Sequence, residues 1–244
     1  MLDLKSKSVF LIDLDDTLIN TYEAMQIGLR RAYQKLAAES EEDLSEKLPL
    51  EKFEEQLRGI YNDGTDEDGK KYFDYRPKLF EDYCNNELPK LNVKTKHVRH
   101  SLAARIYWQF KETKYAVLMP RKNAFGLLCH LALLGPVYCI TQGKCNYQHT
   151  KAMLTDLEGK MADVVVTEEK ERQLRDYVEL KGFPKEKTIM IGDSRRDIVA
   201  GKNAGVETVL VKSDNPRHEK DFEETEADAK FNNLLEIIQI ITKN

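Results

Sequence analysis

The chain lacks the features that would tie it to an oxidising compartment or a membrane. Cys84, Cys129, Cys139 and Cys145 form no CxxC or CxxxxH pattern, so neither a disulfide framework nor a zinc site is spaced along the sequence. Cys129 and Cys139 fall in apolar stretches where a thiol acts as a small hydrophobe, and all four are expected to be reduced. No apolar run reaches the length of a membrane span. Met1-Leu2-Asp3-Leu4-Lys5 leads directly into a strand with no secretory signal, so a cytoplasmic location without a membrane partner is expected. Excess charge is missing too. Lys and Arg number 38 against 42 Asp and Glu, a net charge of -4, which disfavours a nucleic-acid partner. Small-molecule chemistry remains, and nothing in the patterning sets an oligomeric state.

At 244 residues and 41% hydrophobic, the sequence has enough apolar material for a globular core carrying a sizeable insertion. Ser8 to Asp13 (SVFLID) reads as a buried parallel strand ending in acids. Asn20, with Glu23 three residues on, is placed to cap a helix with Tyr22, Met25, Leu29, Tyr33 and Leu36 on one stripe. From about Glu39 to Tyr115 no convincing strand occurs, and Asp63 to Lys71 (DGTDEDGKK) reads as a solvated loop whose glycine is misplaced for an EF-hand. The expected domains are therefore an α/β core of residues 1–19 and 116–244 and a helical cap of residues 20–115.

After Pro120, helices and strands alternate. Strands are expected at 137–141, 163–166, 188–191 and 207–211, and helices at 124–134, 147–157, 168–181, 196–204 and 234–241. Five strands alternating with helices predict a doubly wound parallel sheet, with ligands at the carboxyl ends of the strands.

The reactive side chains all fall just past those ends: Asp13, Asp15 and Thr17 after the first strand, Thr141 closing the second, Lys170 after the third, Asp193 and Asp197 after the fourth. Carboxylates brought together there repel unless a hard cation lies among them, which asks for Mg²⁺. A lysine and a hydroxyl beside that cation suit the oxygens of a phosphoryl group.

At these positions the chain resembles the haloacid dehalogenase superfamily. The DxDx[TV] motif matches Asp13-Leu14-Asp15-Asp16-Thr17, the apolar strand ending in Thr or Ser matches Val137 to Thr141, the motif lysine matches Lys170, and GDxxxD matches Gly192-Asp193-Ser194-Arg195-Arg196-Asp197. The resemblance covers residues 8 to 19 and roughly 118 to 240, and leaves the intervening segment as an insertion of the α-helical cap type. It implies that Asp13 is the nucleophile and Asp15 the acid and base. The Asp13 carboxylate, the Asp15 main-chain carbonyl and Asp193 would hold Mg²⁺, while Thr141, the Gln142 backbone N–H and Lys170 would grip the phosphoryl oxygens. Asp197 would orient Lys170 or hold a metal-bound water. The dehalogenases lack an acid two residues after the nucleophile, so Asp15 favours a phosphatase acting on a small phosphorylated substrate. A phosphotransferase or phosphomutase, a regulatory phosphoacceptor and a silent binding protein are the rivals.

Blander roles are open to several of these residues. Asp193 and Ser194 could cap one helix and Thr167 another. His97 and His100, with no carboxylate at a useful spacing, read as surface histidines, and Trp108 and Phe110 as core of the insertion. Between Lys90 and Lys114, seven Lys or Arg residues face one Glu, which makes this stretch the better half of the insertion for steering an anionic substrate.

Overall fold

The computed structural model describes residues 3–41, 43–63 and 77–243. The polar stretch 63–71 falls, past its first residue, outside them.

Along the chain run β1 (Val9–Ile12), α1 (Thr21–Glu39), α2 (Leu50–Asp63), α3 (Pro77–Asp82), α4 (Arg99–Ala116), α5 (Ala124–Leu134), β2 (Val137–Gln142), α6 (Cys145–Leu154), β3 (Asp163–Thr167), α7 (Lys170–Leu180), β4 (Thr188–Gly192), α8 (Arg195–Ala204), β5 (Glu207–Val211), α9 (Glu219–Glu224), β6 (Ala229–Phe231) and α10 (Leu234–Thr242). The chain divides into two compact units, one of residues 1–23 and 118–244 and one of residues 24–117.

In the first unit the strands pair in parallel in the order β3-β2-β1-β4-β5-β6. β1 lies between β2 and β4, with Leu11 opposite Tyr138 on one side and Met190 on the other. Its four residues are all buried, which explains a continuous apolar run where an alternating one would mark a half-exposed strand. Leu11 joins Ile140, Met190, Leu174, Val178 and Ala200 in a core between the sheet and the helices α7 and α8. The link from α5 to β2 passes so close to the first strand that a Cβ on Gly135 would lie 2.1 Å from the Ser8 carbonyl oxygen. Strand order reverses between β1 and β4, and chains leaving those two strands part to open a crevice at their carboxyl ends.

The expected α/β architecture is present, with differences in detail. β6 went unread because it is three residues long and only its last, Phe231, is buried. Asn20 does not cap α1 as expected: its side-chain oxygen accepts from the Met119 N–H at 2.7 Å. Thr167 does not cap α7; its hydroxyl donates to the Thr141 carbonyl at 3.3 Å, and Gln173 accepts from the N–H groups of Glu168 and Glu169 instead. Cys129 is exposed on the outer side of α5, whereas Cys139 is buried in β2.

The second unit has its own core, built on Leu36, Phe53, Phe80, Tyr83, Ile106 and Phe110 from α1 to α4 and the turn after α3. Phe53 and Tyr83 meet edge to face at 5.1 Å. Trp108 departs from expectation: it is 58% exposed, because α4 turns Ile106 and Phe110 inward and leaves the residue between them outside. The buried Glu39 receives Lys35 at 2.8 Å, His97 at 3.0 Å and Arg105 at 3.4 Å, while His100 pairs with Glu81. Both histidines thus find carboxylates from distant segments, which local spacing did not show. Lys90 pairs with Glu87, Lys96 donates to the Ala38 carbonyl, and Lys111 lies over Trp108. Much of the basic stretch is therefore engaged within its own unit.

Leu11→Ala should destabilise the protein by about 3 kcal/mol, as expected for a leucine lost from a close-packed core, whereas Leu180→Ala, at an 84% exposed site, should cost less than about 0.5 kcal/mol. Urea denaturation of both variants checks this, and equal losses would contradict the placement of the core.

Candidate active site

The carboxyl edge of the sheet carries Asp13, Asp15, Thr17, Thr141, Gln142, Lys170, Asp193 and Asp197. The Asp13 N–H donates to the Ile191 carbonyl at 2.9 Å, which continues β1 alongside β4 and carries the Asp13 carboxylate to the carboxyl edge of the sheet. Lys170, the first residue of α7, is buried and donates from Nζ to Asp13 Oδ1 and, at 2.7 Å, to Asp197 Oδ1. Ser194 donates from both its N–H and its hydroxyl to Asp197 Oδ2, at 3.1 and 2.6 Å, so the start of α8 is tied to the carboxylate that holds the lysine. Gly192 is required here, since a Cβ would sit 2.4 Å from Asp197 Cγ. Thr17 donates to Asp13 Oδ2 at 3.3 Å and Asp193 Oδ1 at 3.0 Å.

Oxygens of Asp13, Asp193 and Asp197 all lie within 4.8 Å of one another, and all three residues are buried. Burial pushes the Asp13 carboxyl up; Lys170 opposes the shift, while Asp197, Asp193 and Asp15 add to it. Burial works against the Lys170 charge, but Asp13 and Asp197 outweigh it and hold the ammonium firmly protonated. One lysine among three buried carboxylates leaves negative charge uncompensated, and the donors are all hard oxygens. The residues therefore fit a divalent cation of the Mg²⁺ type.

Asp15 stands apart from this cluster. Its Oδ1 accepts from the Thr21 hydroxyl at 2.5 Å and from Lys151 Nζ at 2.8 Å; its Oδ2 accepts from Gln148 Nε2 at 2.9 Å and again from Lys151 at 2.8 Å. Burial raises its pKa, yet the charge and hydrogen bonds of Lys151, aided by Thr21 and Gln148, more than offset that and bring it down to about 2. Its carboxylate is not one of the clustered Asp13–Asp193–Asp197 oxygens, and the ligand role that the resemblance implied for it is that of its main-chain carbonyl. Thr141 Oγ1 accepts from Gln148 Nε2 at 3.0 Å, and the Gln142 side chain turns aside to donate to the Glu168 carbonyl at 2.7 Å.

Several residues at this edge escaped the sequence reading. Gln148 and Lys151 are three apart on α6 and share the buried face of Ala152, an unusual place for an amide and an ammonium and hence a readable signal. The segment after β5 supplies Asn215, whose Nδ2 donates to Asp16 Oδ2 at 2.8 Å, and His218, whose Nδ1 donates to Asp193 Oδ2 at 2.7 Å. The strand-end rule that found the other residues, extended to β5, would have reached both. Hydrogen bonding to Asp193 raises the His218 pKa against the effect of burial.

Comparisons with known proteins bear on the fold that carries these residues. A family model described as HAD-hydrolase-like matches residues 149–237. Pyrimidine 5'-nucleotidase PynA of Streptococcus pneumoniae is 28% identical over 116 residues, covering 44% of this chain and 48% of that protein, so the match spans about half the relative's length. Among solved structures, a magnesium-bound protein classed as a HAD-hydrolase, YfnB of Bacillus subtilis, has a TM-score of 0.63 at 20% identity, covering 97% of this chain and 99% of its own. A 2-haloacid dehalogenase of Pseudomonas syringae pv. Tomato DC3000 has a TM-score of 0.60 at 17% identity, covering 96% and 98%. At such identities the structural likenesses establish the fold alone. The family-model match likens residues 149–237 to the HAD-hydrolase-like proteins, in the part of the chain that carries Lys170, Asp193 and Asp197.

Asp16 gives a test of the site's electrostatics. Burial, then the Asp193 charge, raise its pKa from 3.8 to about 6, against the bond from the Tyr22 N–H. An acid whose folded pKa is raised favours the folded state fully below its unfolded pKa and loses that contribution as pH rises through the folded value. In EDTA, stability relative to the Asp16→Asn variant should therefore fall by about 1–3 kcal/mol between pH 4 and pH 7. Urea denaturation across that range checks it, and parallel pH profiles would contradict the shift.

Proposed function

We propose that this chain is a Mg²⁺-dependent phosphatase that hydrolyses a small phosphorylated compound through an aspartyl-phosphate on Asp13. The observation that carries the reading is the contrast between two carboxylates two residues apart. Asp13 lies buried among Asp193, Asp197 and Lys170, while the Asp15 carboxylate is hydrogen-bonded to Lys151, Gln148 and Thr21. Separate surroundings let one carboxylate act as nucleophile and the other as acid and base.

In the first step an oxygen of Asp13 attacks phosphorus, the bond to the leaving oxygen breaks, and Asp15 gives a proton to that oxygen; the negative charge of a bound phosphoryl group would raise the Asp15 pKa from its low value of about 2 and let it carry that proton. In the second, the Asp15 carboxylate takes a proton from water as the water oxygen attacks phosphorus, and the P–O bond to Asp13 breaks to return the carboxylate and release phosphate. Thr141, the Gln142 N–H and Lys170 would hold the phosphoryl oxygens, and Asp197 keeps Lys170 aligned. A magnesium ion held by the Asp13 carboxylate, the Asp15 main-chain carbonyl and Asp193 would supply positive charge against those oxygens.

Dehalogenation is disfavoured because it expels no oxygen for Asp15 to protonate. The likeness to the S. pneumoniae pyrimidine 5'-nucleotidase supports putting nucleoside 5'-monophosphates first among candidate substrates, followed by sugar phosphates and phosphoglycolate.

With Mg²⁺ the protein should release phosphate from p-nitrophenyl phosphate; EDTA should abolish this and added Mg²⁺ restore it. Asp13→Asn should lower kcat by about 10³-fold or more, since the amide is neither nucleophile nor anionic ligand. A fully active asparagine variant would refute the covalent route.

A further inference from the structure

We propose that Lys151 and Gln148 are positioning residues for Asp15, a two-point clamp that fixes its carboxylate and thereby sets how poor a leaving group the enzyme can expel. The inference rests on the phosphatase reading and extends it to residues outside the four motifs.

Lys151 Nζ lies 2.8 Å from both oxygens of Asp15, and its side chain is 7% exposed against 28% for the aspartate. Gln148 donates from Nε2 to the second of those oxygens and also approaches Thr141 Oγ1 and, at 2.6 Å, the Gln142 carbonyl. With the Thr21 hydroxyl on the first oxygen, each oxygen of Asp15 has two donors, which leaves the carboxylate no free rotation. The clamp grows from the same turn as the phosphate grip: β2 ends at Gln142, α6 begins at Cys145, and Gln148 and Lys151 sit one helical turn apart on it.

Gln148 shows that the arrangement is not simply what stability would choose. Its Oε1 is buried with no hydrogen-bond partner among the described residues, while its amide nitrogen serves three acceptors. Buried acceptors are normally satisfied, and an exception calls for an explanation, of which a catalytic role is one. A buried lysine paired to a carboxylate is likewise weak support for stability by itself. An acid that must reach the leaving oxygen and then water benefits directly from being held, since a displacement of about 1 Å can cost about 10²-fold in rate.

The test uses the full chain with Mg²⁺ and two aryl phosphates, p-nitrophenyl phosphate and phenyl phosphate, the second having the poorer leaving group. First-step rates are read from the burst of phenol in wild type, Lys151→Met, Lys151→Arg and Gln148→Met. Lys151→Met should lose about 10²-fold on phenyl phosphate, at least about tenfold more than on p-nitrophenyl phosphate, with KM changed less than about twofold. Lys151→Arg should recover most of the loss, because a guanidinium can also span both oxygens of a carboxylate. Gln148→Met should shift the two rates in the same direction by less, and carries the comparison alone should Lys151→Met not fold. Equal losses on both substrates, or none, in a wild type that is active would overturn the clamp and leave the phosphatase reading standing. A wild type inactive on both substrates would overturn the phosphatase reading and the clamp with it.

Discussion

The buried ammonium of Lys170 is the charge on which the site depends. Parallel strands deliver acids to one edge of the sheet, and an edge holding Asp13, Asp193 and Asp197 without water around them is electrostatically untenable. Lys170 bridges Asp13 and Asp197, and the surrounding structure is arranged to keep it there. Ser194 takes the other oxygen of Asp197, Gly192 leaves the space that Asp197 occupies, and Thr17 spans Asp13 and Asp193. The lysine offsets part of the charge, and the remainder fits a divalent cation.

The turn after β1 carries the second constraint. Its residues alternate in destination: Asp13 enters the acidic cluster, Asp15 goes to Lys151, and Asp16 goes back to the Tyr22 N–H and Asn215. Sending three nearby acids to three places bends the backbone sharply, and Asp16 sits at φ 59°, in the left-handed region that aspartate tolerates better than most residues. Arg121 holds the turn by donating to the Asp16 carbonyl at 2.6 Å and, from its other terminal nitrogen, to the Lys212 carbonyl after β5. Substrate charge would thus meet acids whose positions are set by backbone as much as by side-chain contacts.

The helical unit follows a different logic. It is held by an aromatic and aliphatic core and by convergence on Glu39, whose carboxylate is kept low first by the hydrogen bond from Lys35, with His97 and Arg105 adding to it against burial. Ion pairing there is a means of burying one acid among helices and needs no ligand to complete it.

The sequence by itself determined the α/β sheet, β1 to β5 to within a residue or two, and the edge at which Asp13, Asp15, Thr141, Lys170, Asp193 and Asp197 would collect. It could do so because a strand buried on both faces must be continuously apolar, and because parallel topology sends whatever follows each strand to the same side. Only the tertiary structure decided the partners. That Lys151 rather than Lys170 takes Asp15, that His218 takes Asp193, and that His97 and Arg105 meet at Glu39 depends on contacts between residues far apart in the chain. Such pairings leave no periodicity to read. They are set by where the turns aim each side chain and by the requirement that every buried charge find its counterpart.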